Sequence, residues 1–252
     1  MTPYQLGQLG LTQPRGSQGD PLFGNVALLL HFNEPNGSTT TVDSSSFAHT
    51  VTSLGTNPPI IDNPGGKFFG GARSRAVFLA NSYLSIANHS SFDISGTTEF
   101  CIEFYAKYNG SSPAAQGVIK RWSSVGGAGS TEQYYIESQS GRWFAGVHRG
   151  GGAVTQVATG VGDVMTVGNW YHVALVREGN TLKIYQDGVL KDSNTLATPN
   201  IQAVSTPTEL FRRLNTGSTS QWAGMLDEVR VTVGHPRYTA NFTPPAGQFQ
   251  DF

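Results

Sequence analysis

Hydrophobic and polar positions alternate with a period of two through most of this chain, the signature of half-buried strands rather than helices. Residues 99–108 show it most clearly: Phe100, Ile102, Phe104, Ala106 and Tyr108 share one face, and Cys101, Glu103, Tyr105 and Lys107 share the other. The pattern predicts strands at 25–32, 76–79, 82–87, 99–108, 116–122, 132–138, 142–148, 153–159, 170–177, 181–186, 208–214 and 221–233, with no helix longer than a turn or two. Glu178-Gly179-Asn180 and Gln186-Asp187-Gly188 are the clearest turn signals, because Gly and Asn accept the positive φ of tight hairpins. They make 170–195 a meander. Many short strands without helices predict an all-β sandwich of two antiparallel sheets.

The last strand carries most of the detail. Its alternation predicts Met225, Asp227, Val229, Val231 and Val233 facing inward and Leu226, Glu228, Arg230 and Thr232 facing outward. An inward Asp227 needs hydrogen-bond donors, and backbone N–H groups at a strand corner are the expected supply. Neighbours in a strand point to opposite faces, so Asp227 and Glu228 do not form a same-face acid/base pair, and Glu228 with Arg230 is expected as a surface ion pair. Pro236, Pro244 and Pro245 forbid regular structure beyond this strand, so Tyr238 and Phe242 are expected to anchor an extended strap, 234–252, against the sheet.

Composition narrows the picture. The chain of 252 residues has 31 glycines and only 13% charged residues, which suits short strands joined by tight loops and excludes a coiled coil. A formal net charge of −1 offers no basic surplus for coating phosphates, so no nucleic-acid partner is expected. The single cysteine, Cys101, excludes an internal disulfide and reads as a packed thiol. No stretch of about 18 apolar residues predicts a membrane span, and residues 1–24 lack the basic start and apolar run of a secretory signal. That first segment is punctuated by Gly and Pro, yet it carries Tyr4, Leu6, Leu9 and Leu11. It is expected to be an extended arm, either a flexible terminus or one that orders against a neighbouring subunit, with residues 25–252 as one domain.

Several motifs stand in the order of a known family. They are Val26-Ala27-Leu28-Leu29-Leu30-His31-Phe32 with Val42-Asp43-Ser44-Ser45 after it, Lys67-Phe68-Phe69-Gly70-Gly71, Tyr83-Leu84-Ser85-Ile86, and Phe100-Cys101-Ile102-Glu103-Phe104. Then come Trp170-Tyr171-His172-Val173-Ala174-Leu175, Thr181-Leu182-Lys183-Ile184-Tyr185, and the terminal Met225-Leu226-Asp227-Glu228-Val229-Arg230 with Arg237-Tyr238-Thr239-Ala240-Asn241-Phe242-Thr243-Pro244-Pro245. Together they resemble the laminin-G-like, concanavalin A-like jelly-roll superfamily, in the form common in bacteriophage structural proteins. The resemblance implies a jelly-roll sandwich and a non-enzymatic virion component, in capsid decoration or in the tail or fibre, made in the host cytoplasm; a stand-alone polysaccharide-binding module and a glycan depolymerase are the alternatives. It implies other virion proteins and further copies of this chain as partners. Because this fold hosts lectins, glycanases and inert virion parts alike, function has to be read from the site.

Catalytic signatures are missing. Retaining glycanases need two carboxylates about 5 Å apart, which the family supplies as Glu-x-Asp-x-x-Glu on one strand; here Glu99 and Glu103 flank Cys101 instead, and no catalytic residue is assigned. The six histidines lack zinc-ligand spacing, and His172 reads as a core or hydrogen-bonding residue. The resemblance implies calcium at a rim loop, with Asp43 and Asn36 as candidates helped by Asn33 and Glu34, although Asp43 before three serines also fits an Asx turn. Glycan binding needs aromatic planes with donors and acceptors around them. The candidates are Arg121 and Trp122 before one loop, Tyr134 and Tyr135 after it, and His148 and Arg149 before Gly150-Gly151-Gly152; the competing reading packs Trp143 and Trp170 in the core and lays Trp122 over a sheet edge.

Overall fold

The computed structural model describes residues 19–73, 82–110, 115–123, 131–150, 153–215 and 218–252. The first nine strands are β1 (Val26–Leu30), β2 (Val51–Leu54), β3 (Ile60–Asp62), β4 (Gly71–Arg73), β5 (Tyr83–Ile86), β6 (Phe100–Lys107), β7 (Gln116–Ser123), β8 (Thr131–Gln139) and β9 (Arg142–His148). They are followed by β10 (Val154–Ala158), β11 (Trp170–Glu178), β12 (Thr181–Gln186), β13 (Val189–Thr195), β14 (Thr208–Leu210), β15 (Arg213–Asn215), β16 (Ser218–Ser220) and β17 (Met225–Val233). One sheet runs β13-β12-β11-β6-β17-β4-β3, with β1 also paired to β17, and the other runs β10-β9-β8-β7-β14-β5-β2. All the pairings between these strands are antiparallel. The result is the expected two-sheet jelly roll.

The core lies between the sheets. Phe100, Ile102, Phe104, Ala106 and Tyr108 of the β6 region face it together with Val173, Leu175, Leu182 and Ile184 from one sheet and Val118, Ile119, Tyr134, Ile136, Ala145 and Val147 from the other. Trp143 and Trp222 join them at a ring separation of 5.3 Å. Trp170 does not. It is half-buried on the outside of the eight-stranded sheet, where it packs against the cluster of Val26, Leu29, Tyr105 and Phe249.

The meander 170–195 forms as β11, β12 and β13, with Asp187 at φ 52° and Gly188 at φ 77° in its second turn. A Cβ on Gly188 would stand 1.9 Å from the Phe242 carbonyl oxygen, so glycine there also admits the strap. The predicted window 208–214 is broken at Phe211, which is buried at φ 66°. The window 76–79 lies outside the described residues.

The predicted phase of β17 is corrected in its first half. Leu226 is in the core and Met225 is not, whereas Val229 and Val231 face inward as expected. The cause is a bulge between Asp227 and Arg230, with Glu228 at φ 52°; one extra residue reverses the alternation on either side of it. Asp227 pairs with Tyr105 and therefore lies on the outer face, where its Oδ2 accepts the Lys67 and Phe68 N–H groups at 2.7 and 3.1 Å. Backbone donors were the expected supply, on the opposite face from the expected one.

Glu228 and Arg230 do not pair with each other, and neither is at the surface. Glu228 accepts from the Phe249 N–H at 2.8 Å and from Gln248, and contacts His31 Nδ1 at 2.9 Å. Arg230 binds Glu103 at 2.8 Å and Asp20 at 3.1 Å. The strap forms over this network. Tyr238 and Phe242 stack at 3.5 Å and 3° and pack on Cys101, Ala174, Val176 and Tyr185. The packed-thiol reading of Cys101 and the hydrogen-bonded reading of His172, whose Nε2 meets Glu103 at 3.1 Å, both hold. With the strap across the outside of the eight-stranded sheet, the outer face of the seven-stranded sheet is where a ligand-sized cleft opens on the strands.

Candidate functional site

The cleft on that face encloses about 190 Å³ and is lined by Trp122, Glu132, Tyr135, Glu137, His148, Val154, Gln156 and Arg213. It is created by local chain geometry on β8. The pairing of β7 with β8 slips between Arg121 and Trp122: Tyr134 faces Arg121, Glu132 faces Trp122, and Gln133 is the extra residue. Glu132 thereby joins Tyr135 and Glu137 in the cleft. Without the bulge, alternation would send Glu132 inward with Tyr134 and Ile136.

Tyr135 lies over Gly146 of β9. A Cβ at Gly146 would stand 2.8 Å from its ring, so the missing side chain is what lets the ring lie flat across the strand and its hydroxyl accept from Gln156 on β10. His148 sits between the two aromatics, 6.4 Å from Trp122 and 6.2 Å from Tyr135 between ring centroids. Lys120 caps the Trp122 ring at 5.5 Å.

Every charge here has an internal partner. His148 Nε2 lies 2.7 Å from Glu132, Arg213 Nε is 2.5 Å from Glu137, and Glu209 takes both Lys120 and Arg212 at 3.0 Å. Burial pushes the His148 imidazole down to about 4, so at neutral pH the ring is uncharged and its Nε2–H donates to the Glu132 carboxylate. Burial raises Glu132, opposed by Lys120 and by a hydrogen bond from Trp122. Burial also lowers Lys120, with Glu209 opposing it. Aromatic planes framed by fixed donors and acceptors, each held by an internal hydrogen bond or ion pair, suit a flat, hydroxyl-rich ligand.

Of the sequence candidates, Trp122, Tyr135 and His148 are in the cleft. Arg121 is not: it is 1% exposed and forms the floor of a different cavity at the end of the sandwich. Tyr134 is a core residue, because it precedes Tyr135 on the strand and must face the other way. Arg149 lies outside the cleft lining, with its guanidinium on Thr198 at 3.2 Å. Alternation on β8 identifies Tyr135 and Glu137 as a same-face pair, but Glu132 and the distant Arg213 and Gln156 have no local signal. Tyr4, Leu6, Leu9 and Leu11 lie outside the described residues.

Asp43 is a buried clamp. Its oxygens accept from the N–H groups of Leu29, Ser45 and His49 and from the Ser45 hydroxyl at 2.9 to 3.0 Å. Asn36 Oδ1 accepts from the Asn63 N–H at 3.2 Å. Among the described residues no three His, Cys, Asp or Glu side chains group as metal ligands. Glu103 is fully buried on the face the strap covers, and Glu99 is half-buried and accepts from the Gly179 N–H at 2.8 Å. Among the described residues no helix is long and apolar enough to cross a membrane.

Residues 79–233 match the family described as the concanavalin A-like lectin/glucanases superfamily, of the laminin-G type, and the chain belongs to that family. No curated protein matches the sequence. Among solved structures, the chain is similar to the binding domain of Paraclostridial Mosquitocidal Protein 1, with a TM-score of 0.64 and 13% identity over 84% of this chain and 49% of that one. It is also similar to the botulinum neurotoxin serotype D binding domain, with a TM-score of 0.60, 11% identity and coverage of 84% and 49%. A third similar structure, from work describing botulinum neurotoxin type C cell entry as dependent on two ganglioside molecules, has a TM-score of 0.58, 15% identity and coverage of 84% and 48%. The chain spans about half the length of these structures, and at such identities they establish the shared fold.

Proposed function

We propose that this chain is a non-enzymatic, lectin-like module of a bacteriophage virion, displayed from the capsid or the tail and fibre apparatus, and that it contacts glycans through the cleft on its seven-stranded sheet. The observation that carries the glycan reading is the Trp122 and Tyr135 pair set among polar groups held in place by internal hydrogen bonds and ion pairs. Pyranose rings present apolar C–H faces to aromatic planes and hydroxyls to carboxylates and amides. The ganglioside link of one structural relative points the same way. The virion placement is supported by the resemblance of the strap motif, and by the seat of Asp20 and Phe23 at the base of the arm, on the sheet opposite the cleft.

The glycan reading is tested on an array with the full chain. Saturable binding to a defined glycan is expected, reduced about ten-fold by Tyr135→Ala or Trp122→Ala as stacking is lost; equal signals from wild type and variants would overturn it. Because four protein donors already fill Asp43, binding is expected to survive a calcium chelator. Deleting residues 1–18 leaves Asp20 and its arginines in place, so incorporation into particles is expected to fail while glycan binding persists.

A further inference from the structure

A second cavity, of about 540 Å³, opens at the end of the sandwich and is lined by Asn88, His89, Ser90, Asp93, Arg121, Ala203, Val204 and Ser205. Its floor is the Arg121 guanidinium. Nε donates to the Thr206 carbonyl at 3.2 Å, Nη1 to the Phe92 carbonyl and to Gln133 Oε1 at 3.1 Å, and Nη2 to Asn88 Oδ1 and to the Val204 carbonyl at 3.2 Å. These acceptors come from three stretches far apart in sequence, so the arginine pins the loop before β6, the β8 bulge and the loop before β14 into one rigid wall. Gln133, the bulge residue, adds a bond to the Gln202 carbonyl at 3.0 Å.

The same hydrogen bonds determine what the wall leaves for a ligand. Asn88 spends its carbonyl oxygen on Arg121, which leaves its amide NH2 as a donor. His89 Nδ1 accepts from the Ser91 N–H at 3.1 Å, which places the ring proton on Nε2 as a second donor. Asp93 Oδ1 accepts from the Ser95 N–H at 2.9 Å and from Gln133, which leaves Oδ2 as an acceptor. Asn88, His89 and Asp93 are all exposed, while Ala203 and Val204 supply an apolar side. A carboxylate oxygen beside two N–H donors matches adjacent hydroxyls, each giving its proton to the acid and receiving one from a donor. The Asp93 carboxylate and the Arg121 guanidinium offset each other, so the cavity as a whole suits a neutral ligand.

From this geometry we infer that the cavity is a second saccharide site, separate from the cleft, which takes a neutral terminal pyranose through Asp93, Asn88 and His89. Arg121 is its positioning residue and does not reach the ligand. The inference stands apart from the cleft reading, because none of the residues lining one cavity lines the other.

The test is ligand-observed NMR titration of the full chain with methyl glycosides of glucose, galactose, mannose and N-acetylglucosamine. At least one is expected to bind. Asp93→Asn, which keeps the bond to Ser95, is expected to weaken it roughly ten-fold or more as a charge-assisted bond is lost. Ala203→Trp, at an exposed position on the cavity wall, is expected to abolish it, and Tyr135→Ala to leave it unchanged. No binding by any of the four, or binding that Asp93→Asn and Ala203→Trp leave intact, overturns the inference. Loss with Tyr135→Ala alone would overturn it too and leave the cleft reading standing.

Discussion

Glu103 is fully buried and surrounded by cations and donors: Arg230, His172 and the Tyr238 hydroxyl, which donates at 2.8 Å. Burial alone would raise its carboxyl; Arg230, His172 and Arg237 outweigh it and hold the group far below the ordinary range. Removing such a charge leaves Arg230 partly unpaired in a dry site, so Glu103→Gln is expected to cost roughly 3–5 kcal/mol in denaturant unfolding while glycan binding by the folded fraction is retained. Gly146→Ala is the reverse case. The new methyl pushes the end of the Tyr135 side chain off Gln156, so stability should barely change while glycan affinity drops several-fold in the array.

Two other residues oppose each other in pH. Asp227 is raised from 3.8 to about 7, by burial first and by neighbouring Glu228, against its backbone donors. The folded chain holds that proton where the unfolded chain releases it, so this contribution to stability is lost as pH rises from about 4 through 7. His148, lowered from 6.5 to about 4, contributes stability that is lost as pH falls over nearly the same interval. Thermal melts of Asp227→Asn should therefore show stability rising with pH between about 4 and 6.5 more steeply than in the wild type.

At the scale of elements, the strap is a cover held by aromatic packing, and Cys101 beneath it reports on its closure. Replacing Tyr238 and Phe242 with alanine is expected to accelerate labelling of Cys101 by a thiol reagent roughly ten-fold or more, as lost packing populates the open strap. An unchanged rate would mean that the strap is held elsewhere. The strap was legible in the sequence because three prolines and two aromatics after a strand leave little else for the chain to do. Strands β6, β11 and β12 were legible because their alternation is regular and the inward face is apolar through the middle of each strand. Strands β2, β3 and β4 were not, being short edge or near-edge pieces held by pairing rather than by pattern, and β13, whose residues after Leu190 are polar, was legible only through the turn signal before it. The bulges on β8 and β17 account for the errors at Glu132 and Asp227. Each is one residue long, announced by neither Gly nor Pro, and each reverses which side chains share a face, so Glu132 was missed and Asp227 was assigned to the wrong side.

At the scale of the molecule, the two sheets divide the work. The eight-stranded sheet carries the strap and the base of the arm, where Asp20 is bound by Arg230 and Arg237. The seven-stranded sheet keeps a cleft on its outside, on the opposite face of the sandwich from Asp20. That cleft is the central claim, and the most direct test is NMR chemical-shift mapping of the full chain with the best glycan from the array. Perturbations centred on Trp122, Tyr135, His148 and Gln156 are the expected result. Perturbations confined to the strap and the eight-stranded sheet, with the cleft silent, would contradict it.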